Sequence, residues 1–375
     1  MDLSYTDEQT LLRDSISKFI EDNYDISQRN KLTATDEGFS RDNWKQFADL
    51  GWLAMPFPED VGGIGGTPVD TMIVMEEFGK GLVVEPFFPT VVLAGTALSE
   101  FGSTEQKSET LAGIIDGSIL ATFAYAEQQS HHDIFDIVTE AKKSGDEYVI
   151  NGIKSVVLNA QSADKILVSA RTAGATRDPA GITVFIVDAD AAGIERNDYP
   201  TIDGLRASEV TFRDVKVPSS AIVGKAGEGA AILTKISNRA ILALSAEAVG
   251  AMEMLYKDTI AYTKQREQFD HPLSDFQVLK HRMTEMFMEH ALAQSLTMKA
   301  AMLETHGAAD TQRTIHALKY LIGKSSRFVG QNAVQLHGGM GMTEELRVAH
   351  YFKRLTVIDA QFGNTDHHLT QLVNC

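Results

Sequence analysis

The spacing of apolar residues along the chain predicts helices at both ends. Between residues 6 and 24, apolar positions recur at intervals of three and four, as they do on one face of an α-helix. Thr6 and Gln9 have the spacing of a capping box, in which each side chain binds the backbone N–H of the other residue. A helical pattern recurs over residues 44–53 and 69–77. The apolar face of the first predicted helix carries Leu11, Leu12, Ile16, Phe19 and Ile20.

The pattern changes near residue 121, where short runs rich in Val and Ile replace the helical periodicity. Residues typical of turns, such as Asn151-Gly152, lie around these runs, and together they predict a compact all-β unit. After Pro218 long apolar stripes with helical spacing return. Helices, then strands, then helices exclude the βαβ alternation of a Rossmann domain. The predicted strands cover residues 121–126, 148–158, 165–171, 181–188 and 208–217.

The composition of the chain narrows the classes of molecule that it could bind. Among 375 residues, 34 basic and 51 acidic side chains give a formal charge of −17. Nucleic acids and anionic membranes are bound mainly through Lys and Arg, so this balance argues against both. The single cysteine, Cys375, allows no disulfide within the chain and no cysteine metal cluster, so no metal site is expected.

The chain is also expected to be cytoplasmic. The N-terminal residues Met1-Asp2-Leu3-Ser4 lack the basic and apolar regions of a signal peptide. No apolar run approaches the roughly 20 residues that are needed to span a bilayer.

Arg266 opens the first of three residue blocks that suit a cofactor containing a pyrophosphate. Phe269 follows it in the same block, and Gln277 lies a little further on. A guanidinium such as that of Arg266 forms charge-assisted hydrogen bonds with phosphate oxygens. The block therefore supplies a candidate cation and an aromatic side chain close together in sequence.

Two further blocks lie nearer the C-terminus. The second is Gln335-Leu336-His337-Gly338-Gly339, in which Gly338 and Gly339 would let backbone N–H groups approach a ligand without a side chain between. The third is Tyr351-Phe352-Lys353-Arg354, which leads to a turn at residues 362–365. Any one block is weak evidence, whereas all three in this order behind the helix–strand–helix layout are strong evidence of a resemblance to a known family.

The three blocks, behind the helix–strand–helix layout, resemble the flavin-binding apparatus of acyl-CoA dehydrogenases. The resemblance spans nearly the whole chain and implies an α+β multidomain fold. Its parts would be an N-terminal helical domain (1–120), a middle antiparallel β-barrel or sandwich (121–230) and a C-terminal four-helix bundle (231–375). Residues 81–86 and 151–158 resemble, within the family, the branch of the pimeloyl-CoA dehydrogenase small subunit. The resemblance implies FAD as the cofactor, bound by Arg266, Phe269, Gln277, Gln335, Gly338, Gly339 and Thr365.

The resemblance also implies a reaction and partners. Acyl-CoA dehydrogenases oxidise an acyl-CoA thioester to the trans-2-enoyl-CoA: a carboxylate removes the α-proton while the β-hydride passes to the flavin. An electron-transferring flavoprotein then reoxidises the flavin. Because the family builds its cofactor site across a subunit interface, at least a dimer is expected, and usually a dimer of dimers.

The sequence departs from the family at the catalytic base. In the turn, family members carry Glu where this chain has Gly363; the isovaleryl and long-chain branches place it instead where this chain has Asn238. Neither glycine nor asparagine accepts a proton at neutral pH, so the base of this chain is unknown. Arg239, next to the second position, is a candidate for contact with the acyl-CoA, with a structural ion pair as the alternative. Asp366, His367 and His368 follow the turn and are expected to cap or pack rather than to act as a base.

A second departure lies in the predicted β unit. Hydroxyl side chains that hydrogen-bond the flavin ring in the family are replaced by Ala126 and Leu158. These departures lead to the hypothesis of a helper subunit in a homo- or heterotetramer, which lends the cofactor-tail site to a paralogous subunit that carries the Glu. Two alternatives remain open: a flavin-dependent desulfinase or lyase acting on an acyl-CoA without an α-proton base, and a non-catalytic structural or regulatory subunit.

Overall fold

The capping box predicted at the start of the chain is present in the computed structural model, which describes residues 4–375. The Thr6 hydroxyl accepts a hydrogen bond from the Gln9 N–H over 3.2 Å, and the Gln9 side chain accepts one from the Thr6 N–H over 3.1 Å. Helix α1 (Asp7–Asn23) follows directly and buries Ile16 and Phe19. Both ends of the predicted box are therefore confirmed.

The other helices of the N-terminal region are short. The helix predicted over residues 44–53 ends earlier, at Asp49, because Gly51 takes a left-handed φ of 77° that a helix cannot continue through. The helix predicted over residues 69–77 is present and extends at both ends. The helices are α2 (Ile26–Thr33), α3 (Arg41–Asp49), α4 (Pro68–Gly81), α5 (Thr96–Phe101), α6 (Thr104–Gln106) and α7 (Ala112–Ile115), with π-helical segments at Phe88–Gly95 and Lys107–Leu111.

A twisted sheet follows, in the strand order β6-β7-β3-β2-β4-β5-β8, with β1 paired to β4. Its strands are β1 (Ala121–Ala124), β2 (Glu140–Ser144), β3 (Glu147–Leu158), β4 (Lys165–Arg171), β5 (Ile182–Asp188), β6 (Ile194–Pro200), β7 (Arg206–Pro218) and β8 (Ile222–Val223). The long ladders are antiparallel, whereas β1 pairs with β4 in parallel. Strands β2 and β6 were not predicted, because most of their side chains are exposed and polar and leave no apolar alternation to detect.

The C-terminal region consists of long helices. They are α8 (Gly229–Gln265), α9 (Gln277–His306), α10 (Thr311–His337), α11 (Arg347–Ala360) and α12 (Thr365–Asn374), with the small hairpin β9 (Glu267–Gln268) and β10 (His271–Pro272) between α8 and α9. Helix α10 packs against α9, α11 and α12 and so lies at the centre of this group.

Glycines let α4 and α8 pack with their backbones almost in contact. A Cβ on Gly79 would lie 2.0 Å from the carbonyl oxygen of Glu247, and a Cβ on Gly250 would lie 1.9 Å from that of Glu76. The Glu247 carboxylate in turn accepts a hydrogen bond of 2.6 Å from Arg354 on α11, and both side chains are buried. Removing one partner of such a pair would leave a buried charge without its counterion.

Internal contacts divide the chain into two units. The helical unit contains the chain through Lys31 together with Thr67–Val83 and Ile241–Cys375, and the β unit contains Leu32–Gly66 and Val84–Ala240. Within the described residues, no helix is both long enough and apolar enough to cross a bilayer. All seven residues expected to bind the cofactor lie in the helical unit.

Candidate functional site

A tight hairpin between α8 and α9 carries the first predicted block. Gln268 pairs with His271, so Phe269 and Asp270 are the two central residues of the turn. Both have positive φ, 56° and 62°, which is the conformation of a type I′ turn. The Phe269 side chain at the tip is 84% exposed. A large aromatic residue held in a left-handed conformation and facing solvent is strained, and such strain is concentrated at functional sites.

The structure brings the second block next to the first. The ring of Tyr262, one turn before Arg266, stacks on His337 with a centroid distance of 4.3 Å. This stack joins the end of α8 to the end of α10, where Gln335 and Gly338 lie. Neither Tyr262 nor His337 was singled out from the sequence, because their contact joins positions 75 residues apart.

Gln277 completes this group as the first residue of α9. Phe276 before it makes an edge-to-face contact with Phe269, at a centroid distance of 6.3 Å. The group at this end of the helical unit, named here the tail cluster, consists of Arg266, Phe269, Gln277, Gln335, Gly338 and Gly339. All six are exposed.

The tail cluster has the donors that an anionic ligand requires. Within residues 4–375, no carboxylate lies at ion-pair distance from the Arg266 guanidinium. A Cβ built on Gly338 or Gly339 would meet no atom within 4 Å, so their backbone faces open space. The Gly338 N–H already donates to the carbonyl oxygen of Gln335, so the open glycines offer room for close approach rather than a free donor at Gly338. An unpaired guanidinium with exposed glutamine amides and open glycine backbone is chemically suited to a pyrophosphate.

Thr365, the seventh predicted cofactor residue, lies elsewhere, at the start of α12. Its N–H and its hydroxyl both donate to Oδ1 of Asp359, over 3.2 and 2.8 Å. Lys319 on α10 lies beside this turn, sixteen positions before Gln335, which corresponds to about 24 Å of helix. Within one chain, Thr365 and the tail cluster are therefore far apart along α10.

The turn between α11 and α12 is built around Gly363, the predicted position of the family base. Gly363 has a φ of 95°, and the preceding Phe362 also has a positive φ. A Cβ added to Gly363 would lie 2.6 Å from Nε2 of His368 and 2.7 Å from Cδ2 of His367. Conformation and space both favour glycine here over a residue with a side chain.

Lys319 holds the same turn from inside the helical unit. Its buried ammonium donates to the carbonyl oxygens of Ile358, Asp359 and Gly363 over 2.8, 2.9 and 2.8 Å. Burial lowers the pKa of Lys319 to about 8, although Asp359 opposes the shift. Lys319 was missed in the sequence; its only signal is a lysine among the apolar positions of α10.

The residues after the turn divide between capping and packing. Asn364, rather than Asp366, is the N-cap of α12, and its side chain accepts a hydrogen bond of 2.9 Å from the His367 N–H. Asp366 lies exposed in the first turn. His368 is buried and His367 half-buried, so these adjacent rings do not form an exposed pair.

In the β unit, the second base position carries no acid or base. Asn238 is half-buried on α8, and the neighbouring Arg239 lies 3.8 Å from the carboxylate of Glu100. Lys235 lies 3.4 Å from the same carboxylate. Arg239 thus has a partner for a structural ion pair, which was one of the two roles predicted for it.

The strand positions predicted to face a flavin ring have no hydroxyl groups. The Ala126 carbonyl accepts from the Ser155 N–H over 2.9 Å, and the Leu158 carbonyl accepts from the Thr122 hydroxyl over 2.6 Å. The register of the β3–β7 pair shifts between Lys154 and Val157, and the exposed Val156 takes a positive φ of 52°. A β-branched residue rarely adopts this conformation, which marks a strained bulge on the strand.

Three sequence profiles match along the chain. The acyl-CoA dehydrogenase N-terminal domain matches residues 6–118, the middle domain residues 122–215 and the C-terminal domain residues 227–374. The chain belongs to the acyl-CoA dehydrogenase family. It has the acyl-CoA dehydrogenase fold, with an N-terminal helical domain, a middle β-sheet domain and a C-terminal helical domain. Members of this family are flavoprotein oxidoreductases that bind FAD.

Relatives match over nearly their whole length. The probable acyl-CoA dehydrogenase YngJ of Bacillus subtilis is 29% identical over 372 residues, covering 98% of this chain and 97% of that protein. The butyryl-CoA dehydrogenase of Megasphaera elsdenii is 27% identical with a TM-score of 0.88, covering 100% of this chain and 99% of that one. A variant of the steroid ACAD Tcur3481-Tcur3483 is 26% identical with a TM-score of 0.88, covering 98% and 97% of the two chains.

The donor set fits FAD unevenly. The tail cluster matches the pyrophosphate and adenine end, with an unpaired guanidinium, open glycine backbone and an exposed aromatic ring. At the ring end, Ala126 and Leu158 offer no side-chain hydrogen-bond donor.

Proposed function

We propose that this chain is a subunit of an FAD-dependent acyl-CoA dehydrogenase-type enzyme, which lends its tail cluster to the FAD of a paralogous partner that carries the catalytic Glu. The observation that carries the proposal is the Gly363 turn, whose left-handed backbone faces two imidazole rings where the family has its base. A carboxylate at this position would have to displace His367 or His368. This crowding supports the proposal that Gly363 carries no base.

The separation of the cofactor residues supports the same arrangement. The tail cluster lies at one end of α10, while Thr365 lies beside Lys319, about 24 Å of helix away. A cofactor site that takes one group from each of two chains accounts for both positions. In such a site, Arg266 neutralises the pyrophosphate, and Gly338 with Gly339 lets the ligand approach the backbone closely.

FAD, when bound, supplies the hydride acceptor for oxidation of the acyl-CoA. The residues of this chain would act at two such sites: Arg266 by charge and Phe269 by contact with an aromatic face at the FAD of the partner, and Thr365, at the start of α12, at an FAD whose tail the partner binds. Gln277 and Gln335 would add amide hydrogen bonds at the same end. The α-proton would be removed by the partner's carboxylate.

The finer parts of the proposal rest on the resemblance of the sequence to the family. They are a heterotetramer of the pimeloyl-CoA dehydrogenase small-subunit type, the three-domain boundaries at residues 120 and 230, and an electron-transferring flavoprotein as the electron acceptor. The steroid ACAD relative carries a double designation, Tcur3481-Tcur3483, which favours a two-chain assembly. A cytoplasmic location is supported by the single cysteine, which leaves no disulfide within the chain.

An FAD titration tests the proposal. The chain would be purified alone and after co-expression with a Glu-bearing paralogue, and FAD binding would be followed by absorbance and flavin fluorescence. We expect stoichiometric FAD only in the co-expressed assembly. Full FAD occupancy together with acyl-CoA turnover by the chain alone would overturn the proposal.

A matched pair of arginine variants locates the binding group. Arg266→Ala should weaken FAD binding by the assembly about 10- to 100-fold, because a charge-assisted contact to pyrophosphate is lost. Arg313→Ala removes an exposed arginine near the opposite end of α10 and should leave binding unchanged. Equal effects of the two substitutions would place the cofactor tail elsewhere.

The empty base positions also favour a second candidate, a desulfinase or lyase that acts on an acyl-CoA without removing an α-proton. Gly363 and Asn238 are compatible with such chemistry because it needs no proton acceptor at either position. Product analysis separates the two. A dehydrogenase assembly yields the trans-2-enoyl-CoA and exchanges the substrate α-proton with deuterated solvent, whereas base-free cleavage gives neither result.

A further inference from the structure

A chain of hydrogen bonds runs from the surface of α10 to the turn at Gly363. Nε2 of His368 lies 2.8 Å from the carbonyl oxygen of Phe362, and Nδ1 of His368 lies 2.9 Å from Nδ1 of His316. Nε2 of His316 lies 3.0 Å from the side-chain amide nitrogen of Gln312. The four groups form a continuous path that ends next to the position of the family base.

The donor and acceptor roles of these groups fix the direction of every hydrogen bond along the path. A carbonyl oxygen only accepts, so Nε2 of His368 carries the proton and Nδ1 of His368 is an acceptor. His316 must then donate from Nδ1, which leaves its Nε2 to accept from the Gln312 amide. The two rings are therefore opposite tautomers, with the proton on Nδ1 in His316 and on Nε2 in His368.

Both rings must be neutral for this arrangement. Two facing Nδ1 atoms at 2.9 Å share one proton, and a second proton would place two donors against each other. Burial lowers the pKa of His368 to about 3 and lowers that of His316 as well. Both shifts favour the uncharged form of the two rings.

The path and Lys319 hold the turn from two sides. His368 binds the carbonyl of Phe362, while Lys319 binds that of Gly363. The peptide groups on either side of Gly363 are thereby fixed, and with them its left-handed φ. Thr365 follows two residues later, and its hydroxyl donates to Oδ1 of Asp359 near the end of α11.

We propose that His316 and His368 are positioning residues, whose ordered tautomers fix the Phe362–Gly363 turn and so place Thr365 and the start of α12 for the cofactor. This role rests on the proposed function, since it takes Thr365 as an FAD contact. The hydrogen-bond path itself does not depend on that function. Its two consequences, tautomer order and turn rigidity, are measurable in the chain alone.

Long-range ¹H–¹⁵N spectra of histidine-labelled protein test the tautomers. We expect His316 in the Nδ1–H form and His368 in the Nε2–H form, with no titration of His368 between pH 5 and 8 and with assignments from His316→Asn and His368→Gln. A His368 ring that carries its proton on Nδ1, or that titrates near the ordinary value of about 6.5, would overturn the proposal.

Conservative variants test the positioning. Asn at 316 retains a donor near Nδ1 and Gln at 368 retains one near Nε2, whereas Leu at either position removes the polar atoms. Amide hydrogen exchange at Gly363 and Thr365 should accelerate about 10-fold or more in His316→Leu and His368→Leu, corresponding to about 1.4 kcal/mol, and much less in the Asn and Gln variants. The exposed His281→Leu serves as the control. Equal exchange in the Leu and amide variants would overturn the role.

FAD binding by the co-expressed assembly separates this inference from the proposed function. If wild-type assembly binds FAD, the two Leu variants should raise its Kd about 10-fold and the amide variants less than 3-fold; unchanged affinity in the Leu variants would refute positioning of Thr365. If wild-type assembly binds no FAD, the proposed function fails and so does the role at the cofactor. The tautomers and exchange rates then report on the turn alone.

Discussion

Lys319 donates a hydrogen bond of 2.8 Å to the carbonyl oxygen of Gly363 from inside the helical unit. A buried cation thus binds the backbone of Gly363, the residue at the predicted position of the family's catalytic Glu. The same ammonium also binds the last carbonyls of α11, at Ile358 and Asp359. It therefore acts as a C-terminal cap for that helix and as an anchor for the turn.

Lys319→Met should lower the free energy of unfolding by about 2 to 4 kcal/mol, because three carbonyl oxygens would lose a shared donor in a buried setting. Lys324→Met, which removes an exposed lysine from the same helix, should change it by less than about 0.5 kcal/mol. Urea denaturation at pH 7 measures both. Equal stabilities of the two variants would show that the cap contributes nothing.

Gly363→Ala should be more destabilising than a matched glycine substitution. Gly307 also has a positive φ, 58°, but an added Cβ there would meet nothing within 4 Å. Gly307→Ala and Gly363→Ala would both be strained by the left-handed backbone, which costs about 1 to 2 kcal/mol. Only the Cβ of Gly363→Ala would also meet the His367 and His368 rings. We expect an additional loss of about 1 to 3 kcal/mol at 363, measured by urea denaturation.

The same crowding predicts the outcome of restoring the family residue. Gly363→Glu should not give acyl-CoA turnover by the chain alone, since its Cβ points at two rings rather than into free space. Anaerobic addition of octanoyl-CoA, followed by product analysis, checks this. Formation of enoyl-CoA by the single-chain variant would mean that the turn rearranges freely.

Glu85 should make stability depend on pH. Burial raises its pKa to about 8, although hydrogen bonds from its surroundings, including one from the Ser40 N–H, oppose the shift. A carboxyl whose pKa is raised on folding binds its proton more tightly in the folded state, so its contribution is complete below pH 4.5 and is lost as pH rises towards 8. The full loss is on the order of 5 kcal/mol at 1.36 kcal/mol per pKa unit.

Glu85→Gln keeps the shape and removes the titration. Relative to wild type, this variant should gain stability as pH rises from 4.5 to 8, by a few kcal/mol in total, because glutamine never has to ionise in the buried site. Glu109→Gln replaces an exposed glutamate, so its free energy of unfolding should change with pH in parallel with that of wild type. Denaturation curves across this pH range decide the matter, and parallel curves for Glu85→Gln would contradict the shifted pKa.

Asp270→Gly should stabilise the hairpin of the tail cluster by about 0.5 to 1 kcal/mol, since Asp270 has a φ of 62° that glycine adopts without strain. Asp275→Gly provides the opposite case, because Asp275 lies in a 3₁₀ turn with ordinary backbone angles and glycine there costs entropy. Thermal unfolding of the two variants compares them. Stabilisation by both, or by neither, would argue against the type I′ turn.

Local signals in the sequence were sufficient for several elements. The capping box of Thr6 and Gln9 depends on residues three apart, and the long C-terminal helices depend on apolar spacing within one element. The strands with buried faces were found as well. The polar strands β2 and β6 were not, since their pairing is decided by neighbouring strands rather than by their own composition.

The sequence by itself determined the helix–strand–helix order, the family blocks and the glycine at position 363, because each is a property of neighbouring residues. Only the tertiary structure decided how the site residues are grouped. The stack of Tyr262 on His337, the Lys319 anchor and the opposite tautomers of His316 and His368 join positions 39 to 75 residues apart. No local pattern encodes such contacts, since they arise when α10 packs against its neighbours and buries polar groups that must then find partners.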